Sequence, residues 1–358
     1  MQSLFEQIKL HKKQNLPFVL YRKPNSKSII LILQENDHVY FTQNFTEKGF
    51  VFATFNNQNN ILFPLEFSKI SFGTFKEKKG LKSKIRIFKS KVEDKINFIT
   101  LVNKALTAIE HGSLNKVVLS RNESIKIKNF KFRKTFTKIL NSHPTAFCYY
   151  WFHPKVGTWM GASPEKLVSI KLGNISTTSL AGTQVFQNNA ATVWKFKEKN
   201  EQTIVTQFLA EKLKSFTSKI QISKPYTFRA GNVVHLKTDI HGELNQDVAI
   251  ETVLQNIHPT PAVCGFPMVD AKQFILENEN YDRSFYTGFF GELNYDFNTG
   301  ALETDLNVNL RCMKIEQDDV NEKSKVTIFV GCGVTKESMP EKEWEETVNK
   351  SKTMKSIL

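Results

Sequence analysis

The rhythm of apolar and polar positions changes along the chain. Residues 2–14 carry the amphipathic spacing of a helix. Short apolar runs follow, PFVLYRK (17–23), SIILILQ (28–34), HVYFTQ (38–43) and GFVFATF (49–55), divided by polar stretches such as KPNSK and NNQNN. This pattern predicts a meandering sheet with one buried face. The segment 75–92 is lysine-rich and aperiodic, the pattern of a linker or long loop. From 93 the apolar positions Ile99, Val102, Leu106 and Ile109 recur at spacings of three and four, which predicts a helix that Gly112 stops. The remaining pattern predicts strands at 116–120, 145–152, 157–160, 166–171, 176–180, 301–311 and 325–331. Helices are predicted at 130–141, 194–215, 247–257 and about 340–355. There is no internal repeat. Strands and helices come in unequal runs, which favours an α+β fold with large, mainly antiparallel sheets over a doubly wound one.

Composition narrows the class. The 358 residues are 40% hydrophobic and 23% charged, an ordinary globular balance. No stretch has the apolar length of a membrane span, and the start lacks a secretory core, so a cytoplasmic protein with no membrane association is expected. The net charge is +14, but the lysines are dispersed rather than blocked. A nucleic-acid surface is therefore not expected, although a positive field helps to collect a small dianion. Cys148, Cys264, Cys312 and Cys332 form no CxxC pair and are read as reduced, buried thiols.

Several residues could carry chemistry. Lys116 opens an apolar strand and shares a face with Val118 and Ser120. Such a lysine usually snorkels to solvent, whereas a catalytic one needs burial to shed its proton. The run Gly161–Ala162–Ser163–Pro164 favours a tight turn that presents Glu165; a solvated loop glutamate is the plainer reading. Glu198 and Glu201 lie three apart on one predicted helix, and Glu343 and Glu346 repeat that spacing on the last, with Lys350 four further on. Two such faces brought together suit Mg2+, while salt-bridged surface helices would explain the same spacing. Gly331–Cys332–Gly333, after a strand and before the final helix, could offer backbone amides to a carboxylate or form an ordinary turn.

Taken together and in order, these pieces resemble the chorismate-utilising enzymes: isochorismate, salicylate, anthranilate and aminodeoxychorismate synthases. The matching motifs are KVVLSR (116–121), GASPE (161–165), LAGT (180–183), KEKNEQ (197–202), VVHLKT (233–238), HPTPAVCG (258–265), FYTGFFG (285–291), NLRC (309–312), and GCG (331–333) with EWEET (343–347) and Lys350. They span residues 93–358, which the resemblance makes the chorismate-binding catalytic domain; residues 1–90 match only in being β-rich and are expected to form a subdomain packing on it. The resemblance implies the fold of anthranilate synthase component I, two layered, mainly antiparallel sheets flanked by helices. It also implies Lys116 as the water-activating base, Glu165 as general acid, and Glu201 and Glu346 as magnesium ligands with Glu198 and Glu343 beside them. Arg311 and Tyr286 would bind the enolpyruvyl carboxylate, and Gly331 and Gly333 would donate amides to it. Gly182, Thr183, His235, Ala262 and Lys350 would line the substrate pocket. The chain departs from the family pattern at Gln202, where histidine is usual, and at Cys332, where a smaller residue is usual.

Lysine at 116 and alanine at 181 resemble the water-using members, the isochorismate and salicylate synthases. Anthranilate synthases usually carry glutamine at the first position, and aminodeoxychorismate synthases a nucleophilic lysine at the second. Salicylate synthases usually have a fuller N-terminal region, so isochorismate formation is expected, with salicylate formation as the alternative. The expected cofactor is Mg2+ and the expected substrate chorismate. No glutamine amidotransferase subunit is expected, and the chain is expected to be a monomer or weak homodimer. Whether the product feeds menaquinone, a siderophore or another route is open at this level.

Overall fold

Alternating side chains from nineteen strands build two antiparallel sheets, seen in a computed structural model that describes residues 1–77, 88, 90–186, 192–230, 233–318 and 323–358. The first sheet runs, edge to edge, through Gly265–Phe266, Lys116–Lys128, Lys323–Val334, Cys312–Asp318, Gly157–Ser163, Phe147–His153, Phe18–Arg22, Ser28–Gln34 and Ser68–Thr74. The second runs through Thr217–Ile222, Val233–Leu244, Asn174–Val185, Lys166–Lys171, Glu303–Val308, Phe289–Leu293, Gly49–Phe52, Asn60–Pro64 and Tyr40–Thr42, with Tyr226–Ala230 also paired to Val233–Leu244. The helices are α1 (Gln2–Lys13), α2 (Val92–Glu110), α3 (Phe132–Ser142), α4 (Phe196–Lys214), α5 (Ile250–Ile257), α6 (Met268–Asn278) and α7 (Pro340–Lys355). The α+β class and the antiparallel sheets agree with the sequence. Most of the expected 75–92 linker lies outside the described residues.

The layers follow from side-chain parity. In Phe18–Arg22, Val19 and Tyr21 join an aromatic core with Phe50, Phe52, Trp151, Trp159 and Phe290, while Phe18 and Leu20 join the cluster of α1 and α3 residues on the other side. The expectation of a single N-terminal sheet with one buried face is therefore corrected. The early strands divide between the two sheets, and Phe18–Arg22, Ser28–Gln34, Gly49–Phe52 and Asn60–Pro64 are buried on both faces, with Tyr21, Phe50 and Phe52 supplying rings packed between the sheets. The boundary expected near residue 90 separates stretches of chain, whereas both layers contain strands from before and after it. The helices α2, α6 and α7 cover the outer face of Lys116–Lys128 and Lys323–Val334, and α4 and α5 cover the second sheet.

Behind Lys116–Lys128 lies a buried ion pair. The Arg283 guanidinium meets Glu279 Oε1 at 2.5 Å and Oε2 at 2.8 Å, and donates to the carbonyls of Val118 and Val263. Glu279 also accepts from the Ser120 amide and hydroxyl. One guanidinium thus fixes the strand end against the 258–265 segment. Replacing Arg283 by Met would leave a carboxylate buried without its counter-charge, so the variant is expected to lose about 3–5 kcal/mol of stability in urea unfolding at neutral pH.

Candidate active site

Strand parity decides which side of Lys116–Lys128 does chemistry. Val117 and Leu119 pack outward under α2 and α6, and Arg121 continues that face, stacking on Trp344 of α7. Lys116 and Val118 point the other way and line a cavity between the sheets. Lys116 is 1% exposed, so the snorkelling reading fails. The neighbouring Gly265 lets the chain come close, since a Cβ there would sit 2.3 Å from the Lys116 carbonyl oxygen.

Two corners bring the opposite wall into place. The chain leaves the first sheet at Ser163, passes Pro164 and Glu165, and enters the second at Lys166. It returns between Val308 and Cys312, with Arg311 in the left-handed region at φ 49°. The crossings lie side by side: the Val308 amide donates to the Glu165 carbonyl at 3.0 Å, and the Ala162 amide to the Arg311 carbonyl at 3.0 Å. The tight turn expected over 161–164 is therefore corrected, because Gly161–Ser163 finish a strand and Pro164–Glu165 alone make the corner. Glu165 is 3% exposed and lines the same cavity as Lys116 and Arg311.

Gly331 and Gly333 are also strand residues rather than a turn after one, paired with Ser120 and Val118. Their lack of side chains makes room. A Cβ on Gly333 would lie 2.7 Å from Glu201 Oε2 and 3.2 Å from Lys116 Cε, and one on Gly331 would lie 3.1 Å from the Tyr286 hydroxyl. Cys332, between them, faces outward into the α2–α7 cluster, so its bulk stays out of the cavity. All four cysteines are free and buried, as expected.

The carboxylate ladders converge only in part. Glu201 and Glu346 both line the cavity. Glu343 is 2% exposed and meets Lys197 at 2.6 Å. Glu198 instead accepts the Lys195 amide at 3.0 Å and caps α4. Glu201 and Glu346 already have ammonium partners: Lys197 lies 3.4 Å from Glu201, and Lys350 lies 2.7 Å from Glu346 while donating to the Gly331 carbonyl. Among the described residues, no set of three or more His, Cys, Asp or Glu side chains has the spacing of a complete metal cage. Two hard carboxylates on one cavity still fit Mg2+, which commonly takes one or two protein carboxylates and completes its shell with water and ligand oxygens.

The remaining wall is formed by a bulge. The register of Asn174–Val185 against Val233–Leu244 shifts between Ala181 and Thr183, and Gly182 there has φ 71° with α4 so close that a Cβ would meet Glu198 Cβ at 2.9 Å. The His235 ring nitrogen Nδ1 lies 3.1 Å from the Gly182 carbonyl and 3.2 Å from the Thr183 hydroxyl. Gln202, at the position of the usual histidine, donates to the Thr238 hydroxyl at 2.6 Å and so ties α4 to the sheet. The cavity thus gathers Lys116, Glu165, Gly182, Thr183, Glu201, His235, Ala262, Tyr286, Arg311, Gly331, Gly333, Glu346 and Lys350; Glu198 and Glu343 line an adjoining outer space.

Burial sets the protonation states. Desolvation pushes Glu165 from the ordinary 4.5 up to about 8, against the pull of Lys116, Arg311 and Lys350. Desolvation also lowers Lys116, although Glu201 and Glu165 favour its charged form. His235 is held well below its usual value by burial and is neutral. Burial would raise Glu346, but Lys350 and Lys197 hold it low and ionised. One cavity thus holds a lysine shifted toward its neutral form and a carboxyl shifted toward its protonated form. The supports behind these groups were not anticipated: Arg283–Glu279 behind Lys116, Asn309 holding the Tyr149 hydroxyl at 2.7 Å beneath the corner, and Lys197. Of these, Lys197 had a legible signal, its spacing of four from Glu201.

Comparison with known proteins agrees with this geometry. A family model described as "Chorismate binding enzyme" matches residues 29–358. The chain is 28% identical over 298 residues to isochorismate synthase MenF of Pasteurella multocida (strain Pm70), an alignment covering 80% of this chain and 67% of the relative. It is 29% identical over 266 residues to the salicylate biosynthesis isochorismate synthase of Pseudomonas aeruginosa, covering 72% of this chain and 53% of the relative. The chain thus spans between about half and two thirds of these relatives. The fold matches the crystal structure of DhbC from Bacillus anthracis, described as a 2,3-dihydroxybenzoate-specific isochorismate synthase, with a TM-score of 0.78, 24% identity and 98% of each chain covered. Because that family model matches residues 29–358, most of the chain, the chain belongs to the chorismate-binding enzyme family.

Proposed function

We propose that this chain is an isochorismate synthase, which adds water oxygen at C2 of chorismate and expels the hydroxyl from C4. The observation that carries the proposal is the pair Lys116 and Glu165, buried in one cavity with opposite shifts. Lys116, neutral, takes a proton from the attacking water. Glu165, protonated, gives its proton to the departing hydroxyl, which leaves as water. One water enters and one leaves, so the product is an isomer, and the two residues exchange roles in reverse. Arg311 and the Tyr286 hydroxyl offer donors to the enolpyruvyl carboxylate beside Gly331 and Gly333. Ala181 leaves no amine to attack the ring, which favours water as nucleophile and makes a glutamine amidotransferase subunit unnecessary. Glu201 and Glu346 would hold Mg2+, with Glu343 adjacent. When bound, the ion supplies positive charge for the ring carboxylate. Elsewhere the described residues include no helix long and apolar enough to cross a membrane.

Incubation with chorismate and Mg2+ tests the proposal directly. Isochorismate is expected as the main product in a reversible mixture, with little pyruvate in a coupled lactate dehydrogenase assay and no aminated product when ammonium is added. Pyruvate released in step with chorismate consumption would make this a salicylate synthase. EDTA is expected to stop turnover, with Mg2+ restoring it.

Lys116→Ala and Glu165→Gln are each expected to cut kcat by about 100-fold or more while chorismate binding, measured by calorimetry, is largely retained. A loss of only tens of per cent would put the chemistry on other residues.

The pH dependence follows from the two shifts. Forward kcat/KM is expected to rise as Lys116 loses its proton and to fall above about pH 8 as Glu165 ionises. Stability offers a check free of turnover. The folded protein keeps a proton on Glu165 between 4.5 and about 8 that the unfolded chain releases, so this residue makes stability fall as pH rises through that window. Glu165→Gln removes that loss. Its thermal midpoint relative to wild type is expected to climb between about pH 5 and pH 8, and a constant difference would contradict the assignment.

A further inference from the structure

Lys197 has no part in the proposed acid–base chemistry, yet it bridges two carboxylates of the cleft. Its ammonium lies 2.6 Å from Glu343 Oε1 on α7 and 3.4 Å from Glu201 Oε1 on its own helix α4, and Glu346 also acts on it electrostatically. It therefore ties the two helices together at the point where their carboxylates would otherwise repel. Its side chain is 22% exposed and borders the outer space, which has about 310 Å³ of room and is also lined by Glu198, Glu337 and Glu345. That space adjoins the catalytic cavity, sharing Thr183 and Glu346 with it. The lysine occupies an inner position between Glu201 and Glu343, and the outer space gives its flexible stem room to reach other carboxylates.

We infer that Lys197 is a tethered counter-ion: it pairs with Glu201 and the neighbouring Glu343 when no metal is bound, and Mg2+ taken up by Glu201 and Glu346 has to displace it into the outer space. The inference rests on the reading that Glu201 and Glu346 hold Mg2+. Its physical basis is that two cations cannot share one set of carboxylates at a few ångströms without strong repulsion. Lys197 keeps α4 and α7 in register in the metal-free protein and weakens metal binding by competing for the same oxygens. The device makes the site a cation exchanger: one covalently attached charge leaves as one diffusible ion enters.

The test is Mg2+ titration calorimetry on the full chain without chorismate, combined with thermal unfolding with and without Mg2+. Lys197→Met and Lys197→Gln remove the charge, and either neutral variant carries the test. Both are expected to bind Mg2+ about tenfold or more tightly than wild type. Both should unfold at lower temperature without Mg2+ and gain more from adding it. Lys197→Arg, which keeps the charge, should stay near wild type in both measurements. Unchanged or weaker Mg2+ affinity in the neutral variants overturns the inference, as does a stability loss of the same size with and without the ion, which would mark a packing role. The underlying metal reading fails separately: Glu346→Gln binding Mg2+ as tightly as wild type would remove it, whatever Lys197 does.

Discussion

Lys116, Glu165, Glu201 and Glu343 are shut away from bulk water, with Glu346, Arg311 and Lys350 half-buried beside them, and a charge taken out of water costs several kcal/mol unless it is balanced or given up. The molecule uses both escapes. Glu201, Glu343 and Glu346 are balanced by Lys197 and Lys350. Glu165 and Lys116 have no such close partners and are pushed toward their neutral forms. In the proposed reaction, the division between paired and unpaired groups is also the division between holding a ligand and moving a proton.

That division is enforced by where the chain changes layers. Glu165 and Arg311 occupy neighbouring crossings between the sheets, points with no ladder of their own, and each crossing is bonded to the other through backbone amides. Lys116 comes from a strand end pinned by Arg283, and the metal-type carboxylates come from helices on either side. No single element carries the site. It exists only when both sheets have closed on the aromatic layer of Phe52, Trp151, Trp159 and Phe290.

This explains what could be read beforehand. Helices α2, α4 and α7 and the strand at Lys116 are visible in local periodicity, and the residues gathered in the cavity include all those expected to bind substrate. The pattern does not predict strands Asn60–Pro64, Ser68–Thr74, Thr217–Ile222, Tyr226–Ala230, Val233–Leu244, Gly265–Phe266, Phe289–Leu293 and Cys312–Asp318, nor helix α6. Burial on both faces removes the alternation that marks a strand, as in Asn60–Pro64, where every residue is buried, and α6 buries only Ala271 and Ile275. Two motifs with turn-like composition, at Gly161–Ser163 and Gly331–Gly333, proved to be strand. Their small residues answer to close neighbours, Tyr149 against Gly161 and Glu201 against Gly333, which only the folded partner reveals. Glu198 shows the limit of spacing as evidence: it has the interval of a ligand and serves as a helix cap.

The alternation of the Lys116 strand has an evolutionary consequence. Along 116–121 the cavity receives Lys116 and Val118, and Ser120 on the same face bonds Glu279, while Val117, Leu119 and Arg121 go to the helices. A single inserted or deleted residue would preserve most of the ladder's hydrogen bonds and still exchange the two sets, placing valine in the cavity and burying lysine in a hydrocarbon layer. The same holds for Gly331 and Gly333 in the adjoining strand. The chemistry is thus written in the parity of the chain. Lineages of this protein are free to lengthen or shorten their loops, but within these two strands only changes of even length keep the reading frame of the active site.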